Sequence, residues 1–198
     1  MFLKICGITR EEDLSAVSAA GAEYAGFVLA SVSPRRVSPE TARRLIAAAR
    51  KLGLKTVCVV RDMEQGARHA LLADLRPDVV QLHGAETPEY ASSIRTAEVW
   101  KAFDLKSEAA FESAVSFPCS VIVADSGGGT GKPCSWELAS SLAEIRPVML
   151  AGGINPENAA HAVRTVRPWG LDVSSGVELA PGIKDHSKIH LLSERMKK

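Results

Sequence analysis

The chain has 198 residues, 46% of them hydrophobic, which suits one globular domain with a sizeable core. Its 24 basic and 23 acidic residues leave a formal net charge of +1, which argues against nucleic acid or an anionic membrane as the main partner. No segment approaches the roughly 20 apolar residues of a membrane span, and we expect no signal peptide. The four cysteines lack metal-ligand spacing, so we expect no metal site and reduced thiols, as in a cytoplasmic protein.

Short apolar runs alternate along the chain with helix-like segments. The predicted strands are Phe2–Cys6, Ala22–Leu29, Leu54–Val60, Asp78–Leu82, Ala97–Phe103, Ser120–Ala124, Val148–Ala151 and Leu171–Val173. Capping patterns predict helices that begin near Thr9, Ser38, Thr87 and Asn155. Further helices are predicted to begin near Glu64, Ser107 and Ser135, with a last helix from about Lys184 or Asp185 to the C-terminus.

This pattern amounts to eight strand–helix pairs without a long linker. The strands are short and apolar on both faces, as in a parallel sheet that helices cover. Strict alternation favours a single (β/α)₈ barrel over residues 1–198, with a flavodoxin-like open sheet as the alternative. In either fold, the carboxyl ends of the strands meet at one edge, where ligands bind.

The last two predicted strands end in small, turn-forming residues. Gly152-Gly153 follows the seventh strand, and Ser174-Ser175-Gly176 follows the eighth. Backbone N–H groups in such loops suit a phosphate dianion, and barrels of this kind often bind phosphate there. The alternative is that these glycines only make turns.

Two strand ends carry side chains that can transfer protons. Cys6 follows the first strand, and a nearby helix N-terminus or cation would lower its pKa enough to make it a thiolate base. Asp125 closes the sixth strand and can be an acid, a metal ligand or a loop cap. A buried thiol without function remains the alternative for Cys6.

Other polar residues occupy the same predicted edge. Asp172 interrupts an apolar strand, which is costly unless the charge is paired or used. Arg35 follows the second strand and can pair with a carboxylate, and His83 can donate a hydrogen bond in the pocket or be an ordinary loop histidine. Gly127–Lys132 fails the P-loop pattern and is either a substrate-covering loop or a plain turn.

The chain resembles the phosphoribosylanthranilate isomerase family of tryptophan biosynthesis. The matching segments run in order along the whole chain and are Lys4–Thr9, Gly26–Val28, Arg35, Val37–Glu40, Gln81–Gly84, Asp125, Gly128–Lys132, Trp136, Gly152–Asn158, Asp172–Glu178 and Pro181–Asp185. The resemblance implies a (β/α)₈ barrel that needs no cofactor and catalyses an Amadori rearrangement. It implies a small phosphorylated substrate and either a monomer or a homodimer.

The resemblance also implies residue roles. Asp125 corresponds to the general acid that opens the ribose ring, and Cys6 to the general base that removes the C2 proton. Arg35 would face the anthranilate carboxylate and Asp172 the anthranilate amine, and the phosphate would bind at Gly152-Gly153 and Ser174–Gly176. Two alternatives are another phosphosugar enzyme, such as an epimerase or a histidine-pathway isomerase, and a non-catalytic phosphosugar-binding barrel.

Overall fold

Eight parallel strands close into a barrel in sequence order in the computed structural model, which describes residues 1–30, 32–125 and 135–196. The strands are β1 (Phe2–Cys6), β2 (Tyr24–Val28), β3 (Lys55–Val60), β4 (Val79–Leu82), β5 (Glu98–Phe103), β6 (Val121–Ala124), β7 (Val148–Leu150) and β8 (Gly170–Val173). Because β8 also pairs with β1, the sheet has no open edge. The barrel prediction is therefore confirmed, and the open sheet is excluded.

Helices follow the strands and surround the barrel. They are α1 (Glu12–Ala19), α2 (Pro39–Lys51), α3 (Gln65–Leu75), α4 (Pro88–Ser92), α5 (Glu108–Ser116), α6 (Trp136–Ala143), α7 (Ala159–Val166) and α8 (His186–Met196). A 3₁₀ turn (Ser175–Val177) and a short antiparallel hairpin, β9 (Glu178–Ala180) with β10 (Ile183–Lys184), separate β8 from α8. The sequence analysis did not predict this hairpin. Among the described residues, no helix is long and apolar enough to cross a bilayer.

Most of the predicted helix starts are confirmed by capping hydrogen bonds. The side chains of Ser38, Thr87, Ser107 and Ser135 each accept a hydrogen bond from the backbone N–H three residues later. These local bonds satisfy N–H groups that a helix leaves unpaired at its first turn. They also explain why the boundaries at Ser38 and Thr87 could be predicted from their capping patterns.

Two predicted helix starts are wrong. The Thr9 hydroxyl donates to the Gly182 carbonyl instead of capping, and α1 begins at Glu12. The Asn155 side chain does accept from the backbone N–H groups of Glu157 and Asn158, but those residues form turns, and α7 begins only at Ala159.

The barrel has two apolar layers. Alternate strand residues such as Leu3 and Ile5 pack outward against the helices, and the others point into the barrel. At the amino ends of the strands, four aromatic side chains fill the interior, with the Tyr24 and Trp100 ring centroids 4.9 Å apart and those of Phe2 and Trp169 4.1 Å apart. This plug closes one end of the barrel, so the other end alone can open into a ligand site.

Candidate active site

A cavity of about 830 Å³ opens at the carboxyl ends of the strands, a size that accommodates a small molecule. Nine of the ten predicted site residues line it, namely Cys6, Arg35, His83, Asp125, Gly152, Gly153, Asp172, Ser174 and Ser175. Strand alternation explains the convergence, because an inward position on a strand is followed by the next inward position two residues later. In β6, for example, Val121 and Val123 fill the barrel interior, and Asp125 comes next at the mouth.

Gly176, the tenth predicted residue, is not part of the cavity lining. A Cβ atom at this position would lie 2.0 Å from the Ile154 carbonyl oxygen and 2.9 Å from the Asn155 Cβ. Only a residue without a side chain therefore lets the loop after β8 pack against the loop after β7.

The two loops present backbone groups to the cavity. Gly152 and Gly153 have φ angles of 77° and 71°, which favour glycine. The Gly153 carbonyl accepts a hydrogen bond from Asn158 Nδ2 at 3.0 Å, which holds the turn. Within the described part of the chain, the N–H groups of these two glycines donate no hydrogen bond. Free N–H donors in a turn ahead of a helix are suited to an anion.

Beneath the cavity, Lys4 is fully buried and paired with Asp172. Lys4 Nζ lies 2.7 Å from Asp172 Oδ2, and the two residues are paired across β1 and β8. Burial alone would lower the pKa of Lys4, but Asp172 and the Cys6 thiol raise it above its ordinary value. Lys4 is therefore a buried ammonium group. No role was predicted for Lys4 from the sequence, although a lysine at an inward strand position was a usable signal.

The thiol of Cys6 lies next to this ion pair. Burial raises its pKa most strongly, Lys4 and Lys184 lower it, Asp172 raises it, and the net shift is upward. The expectation of a lowered pKa in the free protein is thus wrong. The predicted cation is present, but it does not offset the effect of burial on the pKa of Cys6.

Arg35 is held in place by an acidic partner that the sequence analysis missed. Its Nε and Nη2 atoms donate to Glu178 Oε1 at 2.8 Å and Oε2 at 2.6 Å. Lys184 Nζ donates to the same carboxylate at 2.8 Å and also to the Cys6 carbonyl at 2.6 Å. The unpredicted β9–β10 hairpin carries both of these partners, so it orients Arg35 at the edge of the cavity.

At the end of β4, His83 connects two of the polar residues. Its Nδ1 atom lies 3.0 Å from Gln81 Nε2, and its Nε2 atom lies 3.4 Å from Asp125 Oδ2. Gln81 Oε1 in turn accepts from Lys4 Nζ at 2.8 Å. Polar contacts therefore lead from Lys4 on β1, through Gln81 and His83, to Asp125 at the end of β6.

Two buried polar atoms at the cavity wall have no hydrogen-bond partner among the described residues. They are Asp172 Oδ1 and Trp136 Nε1. Unsatisfied buried groups are rare and costly, and they occur where a ligand completes the site. Asp172 Oδ1 is a hydrogen-bond acceptor, and Trp136 Nε1 is a hydrogen-bond donor.

Gly127–Lys132, the predicted covering loop, and Cys134 lie outside the described residues.

Comparisons with known proteins agree on one family. Residues 3–195 match the family model described as N-(5'phosphoribosyl)anthranilate (PRA) isomerase. The N-(5'-phosphoribosyl)anthranilate isomerase of Caulobacter sp. (strain K31) is 38% identical over 208 aligned residues, which cover 98% of each chain.

Solved structures give the same result. A monomeric form of the dimeric phosphoribosylanthranilate isomerase from Thermotoga maritima is similar at 36% identity with a TM-score of 0.89, covering 100% of this chain and 98% of the other. A phosphoribosyl anthranilate isomerase in complex with reduced 1-(o-carboxyphenylamino)-1-deoxyribulose 5-phosphate is similar at 34% identity, with the same TM-score and the same coverage.

Proposed function

Because the chain belongs to the N-(5'-phosphoribosyl)anthranilate isomerase family, we propose that its cavity rearranges N-(5-phosphoribosyl)anthranilate to 1-(2-carboxyphenylamino)-1-deoxyribulose 5-phosphate in tryptophan biosynthesis. The reaction is an Amadori rearrangement, in which an aldose derivative becomes a ketose derivative without an external electron carrier. One observation carries the assignment to this cavity: Cys6 and Asp125 line the same space as Gly152-Gly153 after β7 and Ser174-Ser175 after β8.

The proposed reaction begins with acid catalysis. Asp125 donates a proton to the ribose ring oxygen, the bond from that oxygen to C1 breaks, and the lone pair of the anthranilate nitrogen forms an iminium group with C1. Asp125 is then a carboxylate, and the sugar chain is open. A positioned carboxylic acid can supply about 10²–10⁴-fold of rate in such a step.

Base catalysis follows at the neighbouring carbon. Cys6, as a thiolate, removes the proton from C2, and the electrons of that bond form the C1–C2 double bond and neutralise the iminium. The enolamine becomes the ketone when its C2 hydroxyl loses a proton and C1 gains one. Although burial raises the pKa of Cys6 in the free protein, the iminium cation adds a positive charge beside the thiol and favours the thiolate when it is needed.

The remaining roles orient the substrate. Arg35 binds the anthranilate carboxylate, and its fixed pairing with Glu178 supports this role because a held guanidinium loses little entropy on binding. Asp172 accepts from the anthranilate amine, a role supported by its unpaired Oδ1 atom. His83 contacts the substrate beside Asp125, and Gly152, Gly153, Ser174, Ser175 and Gly176 form the phosphate site.

Several wider features belong to the same proposal. The protein acts in the cytoplasm as one domain over residues 1–198, without a cofactor, a metal, a nucleic-acid partner or a membrane. It is a monomer or a homodimer, as the dimeric relative allows. Light scattering coupled to size-exclusion chromatography distinguishes the two, since the chain has a mass of 21.1 kDa.

A single assay separates the isomerase from its alternatives. Purified protein is added to N-(5-phosphoribosyl)anthranilate, and the loss of the fluorescence of this substrate is followed. The proposal predicts rapid loss. A folded protein that binds the compound without consuming it would be a non-catalytic phosphosugar-binding barrel. One that turns over only a pentose phosphate or a histidine-pathway substrate would be another phosphosugar enzyme.

A further inference from the structure

A line of polar contacts runs along the floor of the cavity from Lys4 to Asp125, with hydrogen bonds as far as His83 and a 3.4 Å contact from His83 to Asp125. It starts at the Lys4 ammonium, which donates to Asp172 Oδ2 and to Gln81 Oε1. Lys4 is fully buried and does not belong to the cavity lining, so it does not touch a ligand there.

The direction of each bond in this line follows from the chemistry of the first donor. An ammonium group can only donate, so the side-chain oxygen of Gln81 must face Lys4. The NH₂ group of Gln81 then faces His83 Nδ1 at 3.0 Å and donates to it. A nitrogen that accepts a hydrogen bond carries no proton, so the neutral His83 ring holds its proton on Nε2.

This tautomer gives Asp125 a donor of fixed direction. His83 Nε2 lies 3.4 Å from Asp125 Oδ2, an ion-pair distance without hydrogen-bond geometry, and contacts of this kind often tighten only when the substrate binds. We propose that Lys4, acting through Gln81, is the positioning residue that fixes His83 as the Nε2–H tautomer and so keeps a hydrogen-bond donor on Asp125. The inference rests on the proposed function only in giving Asp125 the role of general acid.

The consequence concerns the step in which Asp125 loses its proton. The new carboxylate needs stabilisation as it forms, and an N–H donor that is already oriented supplies it without reorganisation. The opposite tautomer would present a lone pair to that carboxylate and repel it. The buried Lys4–Asp172 pair therefore has a role beyond charge neutralisation, because it determines which nitrogen of a distant histidine is protonated.

The tautomer can be observed directly by NMR without any substrate. In ¹⁵N-labelled protein at a pH of about 8, where an unperturbed imidazole is neutral, the ring nitrogen shifts distinguish a protonated from an unprotonated nitrogen. The His83 signals among those of the five histidines are identified by their loss in His83→Asn. We expect a protonated Nε2 and an unprotonated Nδ1.

Gln81→Glu is the decisive variant, since it keeps the shape of the side chain and the contact with Lys4 but removes the donor. A carboxylate can only accept, so the proton of His83 should move to Nδ1. A second variant, Lys4→Met combined with Asp172→Asn, removes both buried charges together; it frees the Gln81 amide to rotate, and His83 should become a mixture of tautomers. The signals of the other histidines report whether each variant is folded.

Kinetics then tests the link to Asp125. Gln81→Glu should lower kcat roughly 10- to 100-fold, the effect of one hydrogen bond to a charged group, with KM changed much less. Gln65→Glu, the same substitution at an exposed position of α3, should change neither parameter. A wild-type His83 protonated on Nδ1, an unchanged tautomer in folded Gln81→Glu, or an unchanged kcat in that variant would overturn the inference. If the isomerase activity is absent but the tautomers behave as stated, the proposed function fails instead.

Discussion

Gly176→Ala tests whether the two loops after β7 and β8 form the phosphate site. The added Cβ would lie 2.0 Å from the Ile154 carbonyl oxygen, whereas ordinary contact begins at 3.4 Å. The loops must therefore separate by about 1 Å or more, and a displacement of this size can lower the rate by about 10²-fold. We expect kcat/KM to fall by about that factor, mainly through KM, because the substrate phosphate loses its anchor.

The assay is the loss of substrate fluorescence at varied concentration, together with inhibition by inorganic phosphate. Gly53→Ala is a matched control, because Gly53 has a φ of 76° and a Cβ there would meet no atom within 4 Å. It should cost roughly 1–2 kcal/mol of stability without changing KM. A folded Gly176→Ala protein with unchanged KM and unchanged phosphate inhibition would refute the placement of the phosphate.

Three further predictions concern the buried charges. Lys4→Met leaves Asp172 as a buried, unpaired charge and should lower the free energy of unfolding, measured by urea denaturation, by roughly 3–5 kcal/mol. Adding Asp172→Asn should restore much of the lost stability. A double variant that recovers no stability would contradict the pairing of Lys4 with Asp172. Burial raises the pKa of Glu178, but Arg35 and a buried lysine lower it more, and the net shift is downward. The stability that ionised Glu178 contributes is present above the ordinary carboxyl pKa of about 4.3 and is lost as pH falls through the lowered pKa of Glu178 in the folded protein. Glu178→Gln should therefore flatten the acid limb of the curve of unfolding free energy against pH. Because the pKa of Cys6 is raised in the free protein, its alkylation by iodoacetamide, followed by peptide mass spectrometry, should be slow at neutral pH. The reaction should be slower still in Lys4→Met. Fast alkylation of Cys6 at neutral pH would refute the raised pKa.

The barrel and most of its strands could be predicted because the signals are local. Apolar runs and capping side chains lie within a few residues of the structure that they specify, and Ser38 and Thr87 illustrate this. Thr9 shows the limit. Its spacing was typical of a helix cap, but its hydroxyl bonds to Gly182, which is 173 residues away.

The residues at the edge of the candidate site could be predicted from the sequence, but the buried contacts beneath it could not. Residues at strand ends, such as Cys6 and Asp125, are directed to one mouth by topology alone. The partner of Asp172 depends on register: Lys4 faces it only because β8 closes onto β1. The upward shift in the pKa of Cys6 is likewise a balance between burial and two cations, and a sequence gives the charges but not the burial.

Single-turnover rates of Cys6→Ser and of Asp125→Asn at saturating N-(5-phosphoribosyl)anthranilate show whether Cys6 and Asp125 act on one substrate in this cavity. We expect each variant to lose at least about 10²-fold in rate while it still binds the substrate. A rate near that of the wild-type protein for either variant would contradict these roles.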